Sequence, residues 1–391
     1  MHHSPARRLL VSVVVPMVVA GALVATGQIS ASAAGCLWKV QPSPNVGAGP
    51  NSVSGIAATS STNAWAVGFY SAGGDLGALK TLVQHWDGSA WTVQTSPNVG
   101  NGNNILYSVA ATSASNAWAV GSSSNGSLQQ TLIEHWDGKA WSVQSSPNVG
   151  NQGNNLLGVV ATSATNAWAV GYFSDGGQQQ TLVLHWNGKA WSVQSSPNVG
   201  SFANVLYSVT AVSSTNAWAA GYYSNGTSYR TLILHWNGSS WKVQASPNVG
   251  PWNNVLYGAG AASGTNAWAA SHYFDGGTNT DKTLVLHWNG SSWKVQASPN
   301  VGTNNSYLQG MRAISSINVW SVGYYKGSTY RTLIEHWNGK VWRIIPSPNM
   351  GDGFNALYAV GSDTTGDVWA VGEWLNSSGA YQTLIMHWCE H

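Results

Sequence analysis

The chain closes on TLIMHWCEH, residues 383–391, and this ending decides how the rest is read. Six earlier stretches start in nearly the same way but run on through a turn into another short strand, as TLIEHWDGKAWSVQ does from Thr131 to Gln144. There, apolar runs flank an Asp-Gly pair, a strong hairpin signal that calls for positive φ at both turn residues. The last copy stops before its second strand. The missing piece stands at the other end of the chain. CLWKVQPSPN, starting at Cys36, aligns with KAWSVQSSPN, starting at Lys139, and reads as the same strand detached from its hairpin.

Working outward, three tryptophan signatures recur seven times each. Trp65, Trp118, Trp168, Trp218, Trp268, Trp320 and Trp369 lie in NAWAVG-like segments. Trp86, Trp136, Trp186, Trp236, Trp288, Trp337 and Trp388 close His-Trp pairs, and Trp38, Trp91, Trp141, Trp191, Trp241, Trp293 and Trp342 precede Ser-Pro-Asn. A period of about 50 residues suits propeller blades and is too long for leucine-rich or ankyrin repeats. In the second period the strands read ILYSVAAT, AWAVGSS, TLIEHW and AWSVQSS, here A to D, divided by turn residues with no helical periodicity. Four antiparallel strands repeated seven times predict an all-β, seven-bladed β-propeller. The N-terminal D strand then completes the last blade and closes the ring, removing the sheet edge that an open solenoid would expose.

The first residues stand apart. Arg7 and Arg8 precede an apolar run from Leu9 to about Ala25, followed by ASAAG with an Ala-x-Ala site at Ala31–Ala33. Residues 1–33 therefore read as a secretory signal peptide, leaving 34–391 as a single propeller domain. A retained membrane anchor and lipid attachment at Cys36 are the alternatives. The expected location is extracellular, either secreted or at the cell surface, and the default oligomeric state is a monomer. No other segment approaches the ~20 apolar residues that cross a bilayer. Charged residues make up 7% of the chain, the net charge is +2, and the region after the leader has no basic cluster, which argues against nucleic acid as a partner. Cys36 and Cys389 flank the split hairpin. A tight turn would bring them within disulfide reach, and export would favour their oxidation across the seam.

Few residues offer chemistry. His85, His135, His185, His235, His287, His336 and His387 share one position on strand C, too far from the axis to share a metal, and are expected to hydrogen-bond structurally. The repeated Trp residues are expected to fill the space between twisted sheets. Glu134 and Glu335 sit in blades that are not neighbours and cannot flank a glycosidic bond. No nucleophile elbow, phosphate loop, zinc-spaced set or calcium loop is present, so no catalytic set, metal or cofactor is expected.

The B–C and D–A connections are long and variable, and they emerge on one face, where binding is expected. After strand B comes an aromatic position, Tyr70, Phe173, Tyr223, Tyr273, Tyr325 and Trp374, with Ser123 the exception. At the start of strand A comes Asn51, Asn104, Asn154, Asn204, Asn254 and Asn355, with Ser306 the exception. Aromatic faces and side-chain amides suit a neutral sugar. The alternative is that the amides shape the loops and the rings cap the blades. Trp252, in GPWNN, and Trp374 fall outside the threefold tryptophan set and on this same face.

In layout the repeats resemble kelch and WD-type propellers and secreted bacterial seven-bladed propellers, although the kelch double glycine and the sialidase Asp box are missing. The HWDG..W hairpin is similar to repeats of seven-bladed bacterial lectins and tectonin-type proteins, which implies sugar binding. The expected function is thus a non-catalytic binding propeller with a neutral glycan partner. An extracellular protein partner, or a polysaccharide hydrolase or lyase using Glu373, is the rival.

Overall fold

The computed structural model describes residues 37–388 apart from Leu76, Asn125, Ser127 and Thr364. The leader, Cys36 and Cys389 lie outside the described residues, and with them the signal-peptide and disulfide expectations. Seven four-stranded antiparallel sheets follow one another along the chain. Blade 2 has strand A at Asn104–Ser113, B at Asn116–Ser124, C at Gln129–Trp136 and D at Trp141–Val143. Strand A is innermost in each blade, and the seven A strands line a central channel. Blade 7 contains Asn355–Ser362, Val368–Leu375 and Tyr381–Trp388, and its outermost strand is Lys39–Gln41. Lys39 pairs with His387, Val40 with Met386 and Gln41 with Ile385, so the N-terminal strand closes the ring.

Neighbouring blades meet through indoles. Trp65 on strand B of blade 1 packs against Trp136 of blade 2 at 4.8 Å and edge-on against Trp141 at 5.1 Å. The same contact closes the seam, where Trp320 meets Trp388 at 5.2 Å and Trp38 edge-on at 5.5 Å. Edge-to-face rings avoid the quadrupole repulsion of face-to-face stacking and contribute about 0.5–1.5 kcal/mol beyond the area they bury. The histidines stack on the strand-B tryptophans, as His185 does on Trp168 at 4.1 Å. In blades 1 to 4 and 6 their Nε2 bonds an Asn carbonyl in the A–B turn, for example His85 with Asn63 at 2.8 Å. Burial lowers the pKa of His85, His135, His185 and His235 and keeps the imidazoles neutral. In those five blades the histidines make the structural hydrogen bond expected, whereas His287 Nε2 of blade 5 has no partner among the described residues.

Two local details differ from the sequence reading. The C–D connection is not a two-residue turn. Trp136 pairs with Trp141, and of the residues between them Gly138 alone has positive φ, at 93°. The Asp137 carboxylate accepts the N–H groups of Lys139 and Ala140 at 2.9 and 3.0 Å, so the side chain organises a four-residue loop. Strand D also stops early, at Val143, because Ser-Pro-Asn leaves the ladder to clamp the head of strand C. Asn148 Oδ1 accepts from Thr131 N–H at 2.9 Å, and the Ser146 and Thr131 hydroxyls bond at 2.8 Å. At the seam Asn45 and Ser43 do the same for Thr383, at 2.9 and 2.7 Å.

The inter-blade core holds two carboxyls. Glu134 is fully buried with one bond, accepted from Ser96 at 2.8 Å, and neither oxygen of the equally buried Glu335 has a partner. Burial pushes the Glu134 pKa up to about 8 and that of Glu335 well above the usual carboxylate range. Gln84 fills the same position in blade 1, with its amide donating to Pro44 O at 2.6 Å.

Two outcomes follow from this packing. Trp38→Ala should cost about 3–5 kcal/mol in denaturant unfolding, as loss of a buried indole does elsewhere, and a similar amount to Trp141→Ala in an interior blade. Glu134→Gln, alone or with Glu335→Gln, should flatten the alkaline arm of the stability profile. With a folded pKa of about 8 against about 4.5 unfolded, the wild type loses stability as pH rises between those values. The variant should match the wild type near pH 4 and exceed its melting temperature above pH 8.

Candidate functional site

Each A strand carries one extra residue near its start. In blade 2 the ladder runs Leu106–Gly121 and then Ser108–Val120, leaving Tyr107 as a bulge. The same slip recurs in every blade, at Ser54, Leu157, Tyr207, Tyr257, Gln309 and Tyr358. A bulge re-aims its side chain, and these seven residues all line the channel. Two further positions surround the bulge at the B–C/D–A end. One is the second residue of strand A with its partner on strand B, as in Tyr307–Tyr324 and Ala356–Glu373. The other is the first part of strand C, where Tyr229, Asp281, Tyr330 and Tyr381 stand.

At these positions the blades stop resembling one another. In blades 4 to 7 many of them carry aromatic rings, which form an unbroken run of contacts. Tyr229 meets Tyr222 at 4.5 Å, Tyr222 meets Tyr207 at 5.9 Å, and Tyr207 crosses to Tyr257 of the next blade at 4.5 Å. From Tyr257 the run passes to His272 at 5.7 Å, Tyr307 at 4.9 Å and Tyr324 at 5.1 Å. Phe354 connects Tyr324 and Tyr330 to Tyr381 at 5.6–6.1 Å. Blades 1 to 3 place smaller or polar residues here, including Ser52, Ser54, Ser122 and an Asn155–Gln129 bond of 2.8 Å. Among the described residues, no ring contact joins Phe69, Tyr107 and Tyr172.

The crescent is polar at its rims, where Asp281 and Glu373 meet tyrosine hydroxyls and Lys326 Nζ lies 4.7 Å over the Tyr330 ring. Burial, reinforced by neighbouring tyrosines, pushes the pKa of Tyr222, Tyr257 and Tyr324 up to about 12, so they remain neutral hydroxyl donors. Burial lowers His272 to about 4 against the opposing pull of Asp281, leaving a neutral imidazole. The Tyr307 hydroxyl donates to Asp281 Oδ2 at 2.7 Å and that of Tyr358 to Glu373 Oε1 at 2.8 Å. Burial raises Glu373, opposed by hydrogen bonds from Ser52 and Tyr358.

The residues singled out from sequence occupy other positions. Asn51, Asn104, Asn154, Asn204, Asn254 and Asn355 are buried, and their amides are spent on their own D–A loops. Asn51 Oδ1 accepts Val46 N–H at 2.8 Å while its Nδ2 donates to Gly49 O at 2.8 Å, and the other five repeat the pattern. Tyr70, Phe173, Tyr223, Tyr273, Tyr325 and Trp374 pack against the inter-blade cores. Both sets therefore make the contacts of the loop-shaping and blade-capping alternative. Trp252 is different. It is 53% exposed, edge-on to Phe274 at 6.2 Å, and stands with the 45% exposed Phe202 on the same face as the crescent. The strand-A and strand-B positions of the crescent lie one residue from the positions chosen on sequence, or at the bulge, and its strand-C positions lie apart from them. Their signal was the three-residue spacing of buried Leu106 and Val109, which breaks the alternation of a regular strand.

No family model and no curated protein matches this sequence. Solved structures do match in fold. The structure described as YCF48 bound to D1 peptide aligns with a TM-score of 0.56 at 13% identity, over 93% of this chain and 100% of that one. An ulvan lyase of polysaccharide lyase family PL25, bound to -[GlcA(1-4)Rha3S]-, aligns at 0.54 and 10% identity over 86% and 94%. A GH74 xyloglucanase from Xanthomonas campestris aligns at 0.54 and 13% over 89% of this chain and 55% of its own. At such identities the likeness establishes the propeller fold alone.

Proposed function

We propose that this protein is an exported, monomeric, non-catalytic propeller that binds carbohydrate at the aromatic crescent on the B–C/D–A face of blades 4 to 7. One observation carries the reading: the unbroken run of ring contacts from Tyr229 to Tyr381, placed where the repeat departs from its own pattern. Pyranose C–H faces stack on such rings, while the neutral hydroxyls and the His272 imidazole can exchange hydrogen bonds with sugar hydroxyls. A chain in which only 7% of residues are charged favours a neutral saccharide. Trp252 and Phe202 extend the apolar surface at the rim of blades 4 and 5, and several such contacts along one chain would add through avidity. Because the structural neighbours include both a peptide-bound and a saccharide-bound protein, an extracellular protein segment is the competing partner class.

Affinity electrophoresis through gels containing neutral glucans, xylans or mannans tests this. The wild type should be retarded by at least one polymer. Tyr229→Ala and Tyr330→Ala should each weaken retardation about 2- to 10-fold, the equivalent of about 0.5–1.5 kcal/mol for one stacked ring. Phe69→Ala, on the opposite arc, should leave it unchanged. No retardation by any polymer, or equal retardation of all variants, would refute the crescent as a sugar site. The hydrolase or lyase reading is motivated by Glu373 in its bond with Tyr358. It predicts new reducing ends from wild-type protein that Glu373→Gln fails to produce. The binding reading predicts none from either, with retardation of the variant preserved.

A further inference from the structure

The central channel has a second departure from the repeat, deeper than the crescent and independent of it. Three residues beyond the bulge, strand A carries Ala57, Ala110, Val160, Thr210, Gly260 and Gly361 in six blades, and Arg312 in blade 6. At about 3.3 Å per residue, this level lies roughly 10 Å along the axis from the tyrosine level. Every other side chain at that level is small, so the guanidinium is the one long group there. It is also the one charged side chain among the residues lining the channel.

Its surroundings leave it uncompensated. Nε donates to Ser362 Oγ of blade 7 at 3.0 Å, which is its only hydrogen bond among the described residues. No carboxylate forms an ion pair with it. The two ion pairs among the described residues are Arg331–Asp352 and His387–Asp367. Arg312 is exposed along the channel, with no negative group beside it among the described residues. Channel water can reach this guanidinium, and an anion entering the channel would meet a cation that no carboxylate neutralises. A fork of parallel N–H donors suits the paired oxygens of a carboxylate or sulfate.

We infer that the axial channel is an anion site in which the Arg312 guanidinium, positioned by Ser362, receives a carboxylate or sulfate group. Two sources could deliver that group: a free small anion, or an acidic sugar entering past the tyrosines. The position tolerates small residues in the other six blades, so Arg312→Thr should fold.

The test is calorimetric titration of wild type, Arg312→Thr and Arg312→Lys with sodium sulfate, sodium glucuronate and glucose in low-salt buffer. Melting temperatures followed in parallel provide a second readout, because a ligand that binds only the folded state raises them saturably. The wild type should bind sulfate or glucuronate at one saturable site, Arg312→Thr should lose at least tenfold in affinity, and glucose should give no such binding. Arg312→Lys should be intermediate, as a point charge without the fork. Comparable binding of sulfate and glucuronate identifies a free-anion site. Glucuronate binding at least tenfold tighter than sulfate, and weakened by Tyr257→Ala, identifies a saccharide-borne carboxylate. The inference is overturned if the wild type shows no saturable anion binding in the millimolar range, or if Arg312→Thr binds the anion as well as the wild type.

Discussion

Everything in this molecule depends on one contact: the edge-on meeting of a strand-B tryptophan with the strand-D tryptophan of the following blade, as Trp118 meets Trp191 at 5.2 Å and Trp168 meets Trp241 at 5.2 Å. Blade sheets are twisted and splay away from the axis, so the outer part of each wedge needs bulky filler. An indole supplies the volume with only two side-chain torsions to immobilise. The 7% of charged residues follows from the same solution. Stability resides in indoles, in neutral imidazoles stacked on them and in Ser-Pro-Asn clamps, leaving little structural demand for ion pairs. Where blades 4 and 5 meet, the pattern changes: Gln244 Oε1 accepts from both Trp218 and Trp293, at 3.2 and 2.8 Å, so an amide bridges the interface.

A ring built in this way separates stability from function. The inter-blade contacts are made by strands B, C and D and by strand-A residues on either side of the bulge, such as Leu106 and Val109, whereas the bulge turns one residue per blade toward the channel without disturbing them. That residue can be Ser54 in one blade and Tyr257 in another because the wedge packing does not depend on it. Tyr207 and Tyr257 of the crescent occupy such released positions, and Arg312 stands three residues beyond the bulge of its own blade. They share a channel and differ in chemistry, with neutral hydroxylated rings at the mouth and a single cation within.

The architecture was legible because repetition amplifies it. Seven copies of His-Trp and of Trp before Ser-Pro-Asn, with six of Asx-Gly, fix the strand count, and the split hairpin fixes the closure. The Asn ring was legible as a pattern but not as a role. That Asn104 spends its amide on Val99 and Gly102 depends on the path of the D–A loop, which the sequence does not reveal. The crescent was hidden for a different reason. Tyr207 and Tyr257 lie 50 positions apart and touch only because adjacent A strands converge on the axis, and the bulge shifts the channel-facing register by one residue. The sequence pattern drew attention to the next position, where Tyr223 and Tyr273 pack against the inter-blade cores.

The central claim is that ligand binding is confined to the arc where the blades depart from their repeat. A crystal structure of the protein soaked with an oligosaccharide selected by the polymer gels tests it most directly. Density stacked over Tyr222, Tyr229 or Tyr330 at the mouth of blades 4 to 7 is the result this account predicts. Equivalent density repeated in the clefts between all seven blades, or density confined to blades 1 to 3, would contradict it.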